Sequence, residues 1–180
     1  MRSGKLLASD HRRVLEQGLS VLNQLDDASY GAAPRPLSDF GVGPHVRHCL
    51  DYYQCFLRGV RDGRVDYDLR RRDERLERDL EYAVQRVRQV IEEFETVQDL
   101  DPDALLFVRM DATEADSEWC RSTVHRELRF LLSHTIHHYA LMAWSLRLQG
   151  IDPGEEFGVA PSTLRHWRAA ACAPSRGSST

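Results

Sequence analysis

Five of the eight histidines in this chain stand in two groups, His45 with His48, and His134 with His137 and His138. On a helix, at about 100° and 1.5 Å per residue, His134 and His138 come one turn apart on a shared face. Their line continues through Leu131, Leu141, Ser145 and Leu148, so both imidazoles point where leucines point. Two neutral imidazoles at that spacing, enclosed among helices, are what a divalent metal ion takes from one helix. Burying them without partners is unfavourable, so something must satisfy them. A third ligand has to come from another helix, and His45 and His48 flank the apolar stripe of the one that offers it. The helical wheel sets His45 nearer that stripe. His137 is the alternate on the later helix, as a ligand or as a residue behind one. A core histidine satisfied by one hydrogen bond is the plain alternative for each.

Other site classes fail on spacing. No Glu follows His134, so the His-Glu-x-x-His helix of zinc proteases is absent, and no Glu-x-x-His exists for a di-iron carboxylate site. The chain has no Gly-x-Ser-x-Gly, no P-loop, no Gly-x-Gly-x-x-Gly and no Cys-x-x-Cys-His. Cys49, Cys55, Cys120 and Cys172 form no Cys-x-x-Cys and are too sparse for a disulfide framework, which points to reduced thiols in a cytoplasmic protein. Cys49 reads as a small core residue. Cys55 shares a line with His48 and Tyr52 but lies too far along it for joint ligation. The Phe and Trp positions read as core. Asp51, one turn after His48, is the candidate catalytic group, as a general base or as an orienter of a ligand, against plain solvation on a helix surface.

Four periodic stretches must position these residues. The first, about 9–26, opens with Ser9 and Asp10 as N-caps and sets Val14, Leu15, Leu19, Leu22 and Leu25 on one stripe. Gly and Pro punctuate 27–43 as a connection. Pro44 starts the second helix, which runs to about Val60 with Val46, Cys49, Leu50, Tyr53, Phe56 and Leu57 on its core face. The third, about 73–97, buries Leu76, Leu80, Val84, Val87, Ile91 and Phe94. Beyond Pro102, Leu105–Val108 and the polar Asp111–Ser117 stretch read as a small hairpin or an irregular crossover. The fourth helix, about 123–149, starts near Ser122/Thr123, stops at Gly150, and is apolar on nearly every side, so it is expected to be the most enclosed. A short turn is expected at Ser162-Thr163-Leu164. The fold class is therefore all-α: a four-helix bundle over residues 1–168, with that irregular connection between its third and fourth helices and a flexible tail over 169–180.

The chain's 180 residues suit one domain, and 42% hydrophobic with 29% charged residues fits a globular protein. A net charge of −4 lacks the footprint of a nucleic-acid binder. The Arg-dense stretch 61–88 also carries many acids and reads as a solvated helix laced with ion pairs. Arg70–Arg72 within it reads as surface ion pairing, with binding of an anionic substrate as the alternative. No apolar run is long enough for a membrane helix, and the N-terminus lacks the apolar core of a signal peptide.

The sequence resembles the DinB-like superfamily of metal-binding four-helix bundles, which includes thiol transferases. The resemblance spans about residues 9–149 and rests on His48-x-x-Asp51 and on His134-x-x-x-His138 within Leu131-Leu-Ser-His-Thr-Ile-His-His-Tyr139. It implies a three-histidine site of His48, His134 and His138, zinc or nickel as the metal, and a homodimer. It prefers His48 where the helical wheel prefers His45. Three protein ligands leave a metal position open, either to activate water or to hold a low-molecular-weight thiol as its thiolate. The implied function is a metal-dependent thiol S-transferase. A metal-dependent hydrolase and a non-catalytic, stress-associated binding protein stapled by its metal are the alternatives. Phe157–Leu164 falls outside the superfamily pattern.

Overall fold

The apolar stripes become buried helix faces in a computed structural model that describes residues 2–34, 41–110 and 118–171. Helix α1 (Arg2–Leu22) begins well before Ser9 and Asp10, which lie inside it instead of capping it. A single turn, α2 (Asp27–Gly31), interrupts the expected connection and is capped by Asp26, whose carboxylate accepts from the Ser29 N–H at 2.8 Å. Helix α3 (Val42–Gly59) holds Pro44 in its first turn, where no helical N–H is needed.

The third stretch breaks into α4 (Arg75–Arg78) and α5 (Leu80–Glu95), correcting the single helix expected there. Asp79 leaves helical geometry and caps α5, accepting from the Tyr82 N–H at 2.9 Å. Close by, the chain meets α3 backbone to backbone: a Cβ on Gly43 would stand 2.1 Å from the Glu77 carbonyl oxygen, so only glycine fits. The Arg-dense stretch is likewise not one helix. It spans a strand, a loop, α4 and the start of α5, although Arg75–Asp79 and Arg78–Glu74 do pair within it.

Between α5 and α6 the chain forms β2 (Leu105–Arg109) and β3 (Cys120–Thr123), paired antiparallel with Leu106 opposite Ser122. This is the small hairpin; its turn, with Asp111–Ser117, lies outside the described residues. A further strand, β1 (Arg64–Asp66), joins β2 in parallel to give the order β1-β2-β3. An all-α fold is therefore corrected to a mostly helical one with a three-stranded sheet. Three residues inside a charged run are too few for strand alternation to show.

Helix α6 (Val124–Leu148) is capped by Thr123 and ends before Gly150, whose φ of 78° suits a glycine stop. It packs on α1 and α3, which in turn both pack on α5. These neighbours bury the side of α6 that carries Leu128, Leu131, Met142 and Leu146. The opposite side is open: Trp144 is 66% and Leu148 50% exposed, so α6 is not enclosed all round. Helix α7 (Pro161–Ala171) replaces the short turn expected near Ser162 and carries the first residues of the expected tail; 172–180 lie outside the described residues. Among the described residues no helix is long and apolar enough to cross a membrane.

One histidine outside the two groups has the plain core role. His11 is fully buried on α1, with Nδ1 2.8 Å from the Tyr53 hydroxyl and Nε2 2.8 Å from the Leu128 carbonyl oxygen. Burial pushes it down to about 4, against a smaller raising effect of the Leu128 carbonyl. It is therefore neutral at pH 7: Nε2–H donates to the carbonyl and Nδ1 accepts from Tyr53, tying α1 to α3 and α6.

Candidate metal centre

Packing of α3 against α6 brings the two histidine groups together. His134 Nε2 lies 3.2 Å from His48 Nε2 and 3.1 Å from His138 Nε2. One ligand atom from each of the three falls within 4.8 Å of the others. A tetrahedral ion with metal–nitrogen bonds of about 2.0–2.1 Å sets its ligand nitrogens roughly 3.3 Å apart, close to these separations. Three neutral imidazoles are also a donor set that zinc, nickel and neighbouring divalent ions accept. In a neutral imidazole His134 Nε2 either donates one hydrogen or accepts, yet it faces two nitrogens, and its Nδ1 is buried without a partner. Turning the three Nε2 lone pairs onto one cation resolves the crowding at Nε2, so the residues fit a metal.

Their protonation favours the same use. Burial, chiefly, pushes His48 and His134 down to about 4 and His138 to about 3; neighbouring positive charge, including each other's, adds to it. All three are neutral at pH 7 and need not lose a proton to bind.

His45 and His48 both reach the cluster, in different places. His45 is 6% exposed, and its Nδ1 lies 3.0 Å from His138 Nδ1. If His138 turns Nε2 to a cation, its Nδ1 carries the hydrogen, and His45 Nδ1 must accept it. Burial lowers the His45 pKa, with a smaller contribution from His137, so its neutral, accepting form is favoured. His45 thus stands behind His138, and His48 stands in the cluster. His137 is exposed; its ring meets the His138 ring edge-on at 5.3 Å but, among the described residues, hydrogen-bonds to none of these histidines.

Asp51 is 2% exposed and is bonded away from the rings. It accepts from the Arg72 N–H at 3.3 Å and lies 3.5 Å from an Arg47 nitrogen, while Arg47 also pairs with Glu77 at 2.5 Å. Burial raises its pKa, partly offset by the Arg72 N–H and the nearby guanidinium groups of Arg47, Arg70 and Arg58. Among the described residues no hydrogen bond joins it to a histidine. Cys49 and Cys55 are buried and pushed up to about 12 and about 11, chiefly by that burial, so neither is a ready thiolate.

Aromatic side chains wall the cluster, a role that the core reading of Phe130 missed and that Tyr52 was not given. The Tyr52 ring centroid lies 4.3 Å from that of His134 and 4.9 Å from that of His48; Phe130 stacks on His134 at 5.5 Å. Their spacing was the available signal: Tyr52 follows His48, and Phe130 precedes His134, by one turn. Arg70 was also misjudged. It is half-buried, its Nη1 donates to the Tyr52 hydroxyl at 3.3 Å, and no carboxylate among the described residues pairs with it.

A family model described as the DinB superfamily matches residues 11–142. Among curated proteins, the chain is similar to FK506-binding protein 5 of Rhizopus delemar, with 33% identity over 105 residues. The match covers 57% of this chain but 27% of that protein, so the chain spans about a quarter of its relative's length. No solved structure matches significantly.

Proposed function

We propose, from the premise that this chain belongs to the DinB superfamily, that His48, His134 and His138 hold one divalent metal ion and that the protein is a metal-dependent thiol S-transferase. The observation that carries the reading is the gathering of three neutral imidazole nitrogens, from two helices, within 4.8 Å of one another. An ion bound there supplies a Lewis-acidic open position at which a low-molecular-weight thiol stays a thiolate at neutral pH. The chain's own residues do the rest. His45 fixes the tautomer and ring orientation of His138, and Tyr52 and Phe130 exclude water from one side. In the reaction the thiol would give its proton to solvent, the sulfur would form a bond to an electrophilic carbon of a second substrate, and the bond from that carbon to the leaving group would break with the electron pair going to the leaving group.

The same reading takes α1, α3, α5 and α6 as a four-helix bundle, zinc or nickel as the metal, a homodimer as the assembly and the cytoplasm as the compartment. Elemental analysis of protein purified without a histidine tag should find about one zinc or nickel per chain. Metal-dependent transfer of a thiol to an electrophile should follow, and should disappear in His134→Ala. Full metal occupancy with no turnover across a panel of thiols and electrophiles refutes the enzyme and leaves a stapled binding protein. That second reading is favoured by the ligands' origin on different helices, because an ion shared by α3 and α6 cross-links them. A metal held at a thousandfold excess over its Kd contributes about 4 kcal/mol to folding stability. In that case chelation lowers Tm sharply and nothing is catalysed.

A further inference from the structure

Arg70 is a cation beside the histidine cluster that forms no ion pair among the described residues. Its guanidinium lies over the Tyr52 ring, 5.3 Å from the centroid, and its Nη1 donates to the Tyr52 hydroxyl. Tyr52 in turn lies against His48 and His134, its ring centroid 4.9 Å and 4.3 Å from theirs. The Arg70 Nε is buried without a hydrogen-bond partner, and Nη2 makes no hydrogen bond among the described residues. These two N–H groups form the side-on edge of the fork, the edge that matches a carboxylate bidentately. Of the two, Nε is the enclosed one, and a buried donor left unpaired is unfavourable, so it calls for an explanation.

The backbone that carries Arg70 is held in place by a strained turn. Arg72, two residues on, has a φ of 51°, which disfavours a side chain with a Cβ, and its N–H donates to the buried Asp51 carboxylate. Asp51 is near Arg70 as well, but its oxygens are engaged by Arg72 and Arg47. Arg47, the other cation beside His48, is paired with Glu77 and Asp51. A dication on three neutral histidines would add further uncompensated positive charge next to Arg70.

We propose that Arg70 is an anion-recognition group for the ligand of this site: it takes a carboxylate carried by the same small molecule whose thiol occupies the metal position. The inference rests on the reading under Proposed function for the thiol, but the carboxylate contact is separable from it.

The test uses zinc-loaded, 15N-labelled full-length protein, with the Arg70 Nε–H signal assigned by its loss in Arg70→Lys. Propionate and 3-mercaptopropionate are each expected to shift that signal saturably, whereas propanol and 2-mercaptoethanol leave it in place. In the cobalt-substituted protein, the thiolate-to-cobalt charge-transfer band should report 3-mercaptopropionate binding about tenfold tighter than 2-mercaptoethanol, as one charge-assisted pair supplies. Arg70→Gln should bring the two thiols within about twofold of each other, and an unchanged cobalt content and circular dichroism show that the site is intact. An Nε–H signal indifferent to propionate overturns the inference whatever the thiols do. A preference that survives in Arg70→Gln overturns it too, because the carboxylate is then chelating the metal. If propionate shifts the signal and no thiol gives the band, the carboxylate contact stands and the thiol reading fails.

Discussion

Replacing His45 with Leu removes the acceptor for His138 Nδ1–H without touching any of the three clustered nitrogens. The contact is 3.0 Å long and lies between a buried His45 and a half-buried His138. Leaving a buried donor unsatisfied costs about 1–3 kcal/mol. With an ion held at His138 Nε2 that N–H would be obligatory, because the Nε2 lone pair would be given to the ion. In the metal-free protein His138 can move its hydrogen to Nε2 and share it with His134, 3.1 Å away. The penalty therefore falls mainly on the bound state and appears as lost metal affinity, about 10- to 100-fold, the range seen for partners behind metal ligands. The assay is competition for zinc against a chromophoric chelator at pH 7, with circular dichroism as the check on folding. His45→Gln, whose side-chain carbonyl can accept, should recover part of the loss. Folded His45→Leu that binds zinc within twofold of the parent refutes the reasoning. A loss as deep as that of His48→Ala refutes it from the other side, by making His45 a ligand.

Three further outcomes follow from the fold. With His11 at about 4 in the folded chain and 6.5 as its ordinary value, the unfolded chain binds the extra proton between those pH values. Stability is thus full above pH 6.5 and falls as pH drops to about 4, by roughly 3 kcal/mol from His11 alone. Urea melts of the metal-free protein at pH 7 and pH 4.5 should show a smaller difference in His11→Gln; an equal one refutes the assignment. Glu127 is fully buried, accepting from the Tyr67 hydroxyl at 3.0 Å, Ser122 Oγ at 2.5 Å and an Arg126 nitrogen at 2.7 Å. Glu127→Ala should lose about 3 kcal/mol and drop Tm by roughly 6–12 °C in a thermal melt. Gly43→Ala forces the α3 and α4 backbones apart, at about 1–3 kcal/mol. Because Gly43 is half a turn from His45, the same variant should bind zinc more weakly in the chelator assay, and unchanged stability counts against the close approach.

The pair on α6 was legible because both members share one helix, where residue spacing alone fixes which side chains meet. The third position was not, because it depends on how far α3 is rotated and slid against α6. Helical-wheel geometry favoured His45 and the resemblance favoured His48. The structure gives each a separate place, which a choice between them did not include. Tyr52 and Phe130 were visible by the same one-turn rule, but Phe130 was assigned to core and Tyr52 was given no role. The break at Asp79 was hidden because the apolar period runs on through it, and the close approach to Gly43 beside it comes from far away in sequence. Strand β1 was hidden because its partner β2 comes some 40 residues later and its three residues carry two charges.

Arg70 shows a different limit. Counted along the chain, the 61–88 stretch is close to neutral, and every arginine in it has an acid within a few positions. Neutrality along the chain says nothing about neutrality in space. Arg75 and Arg78 find acids four residues away because α4 and α5 put them there. Arg70 precedes those helices, and the turn at Arg72 faces it toward Tyr52 and the imidazoles. Asp51, an acid near it, is engaged in holding that turn. The carboxylate that the histidine motif suggested as a base thus acts, in the fold, on the backbone that delivers a cation. For that reason Asp51→Asn should disturb carboxylate recognition through Arg70 before it disturbs the metal. An Asp51→Asn chain that loses zinc affinity while keeping the propionate-induced shift of the Arg70 Nε–H signal would reverse that order and refute the placement.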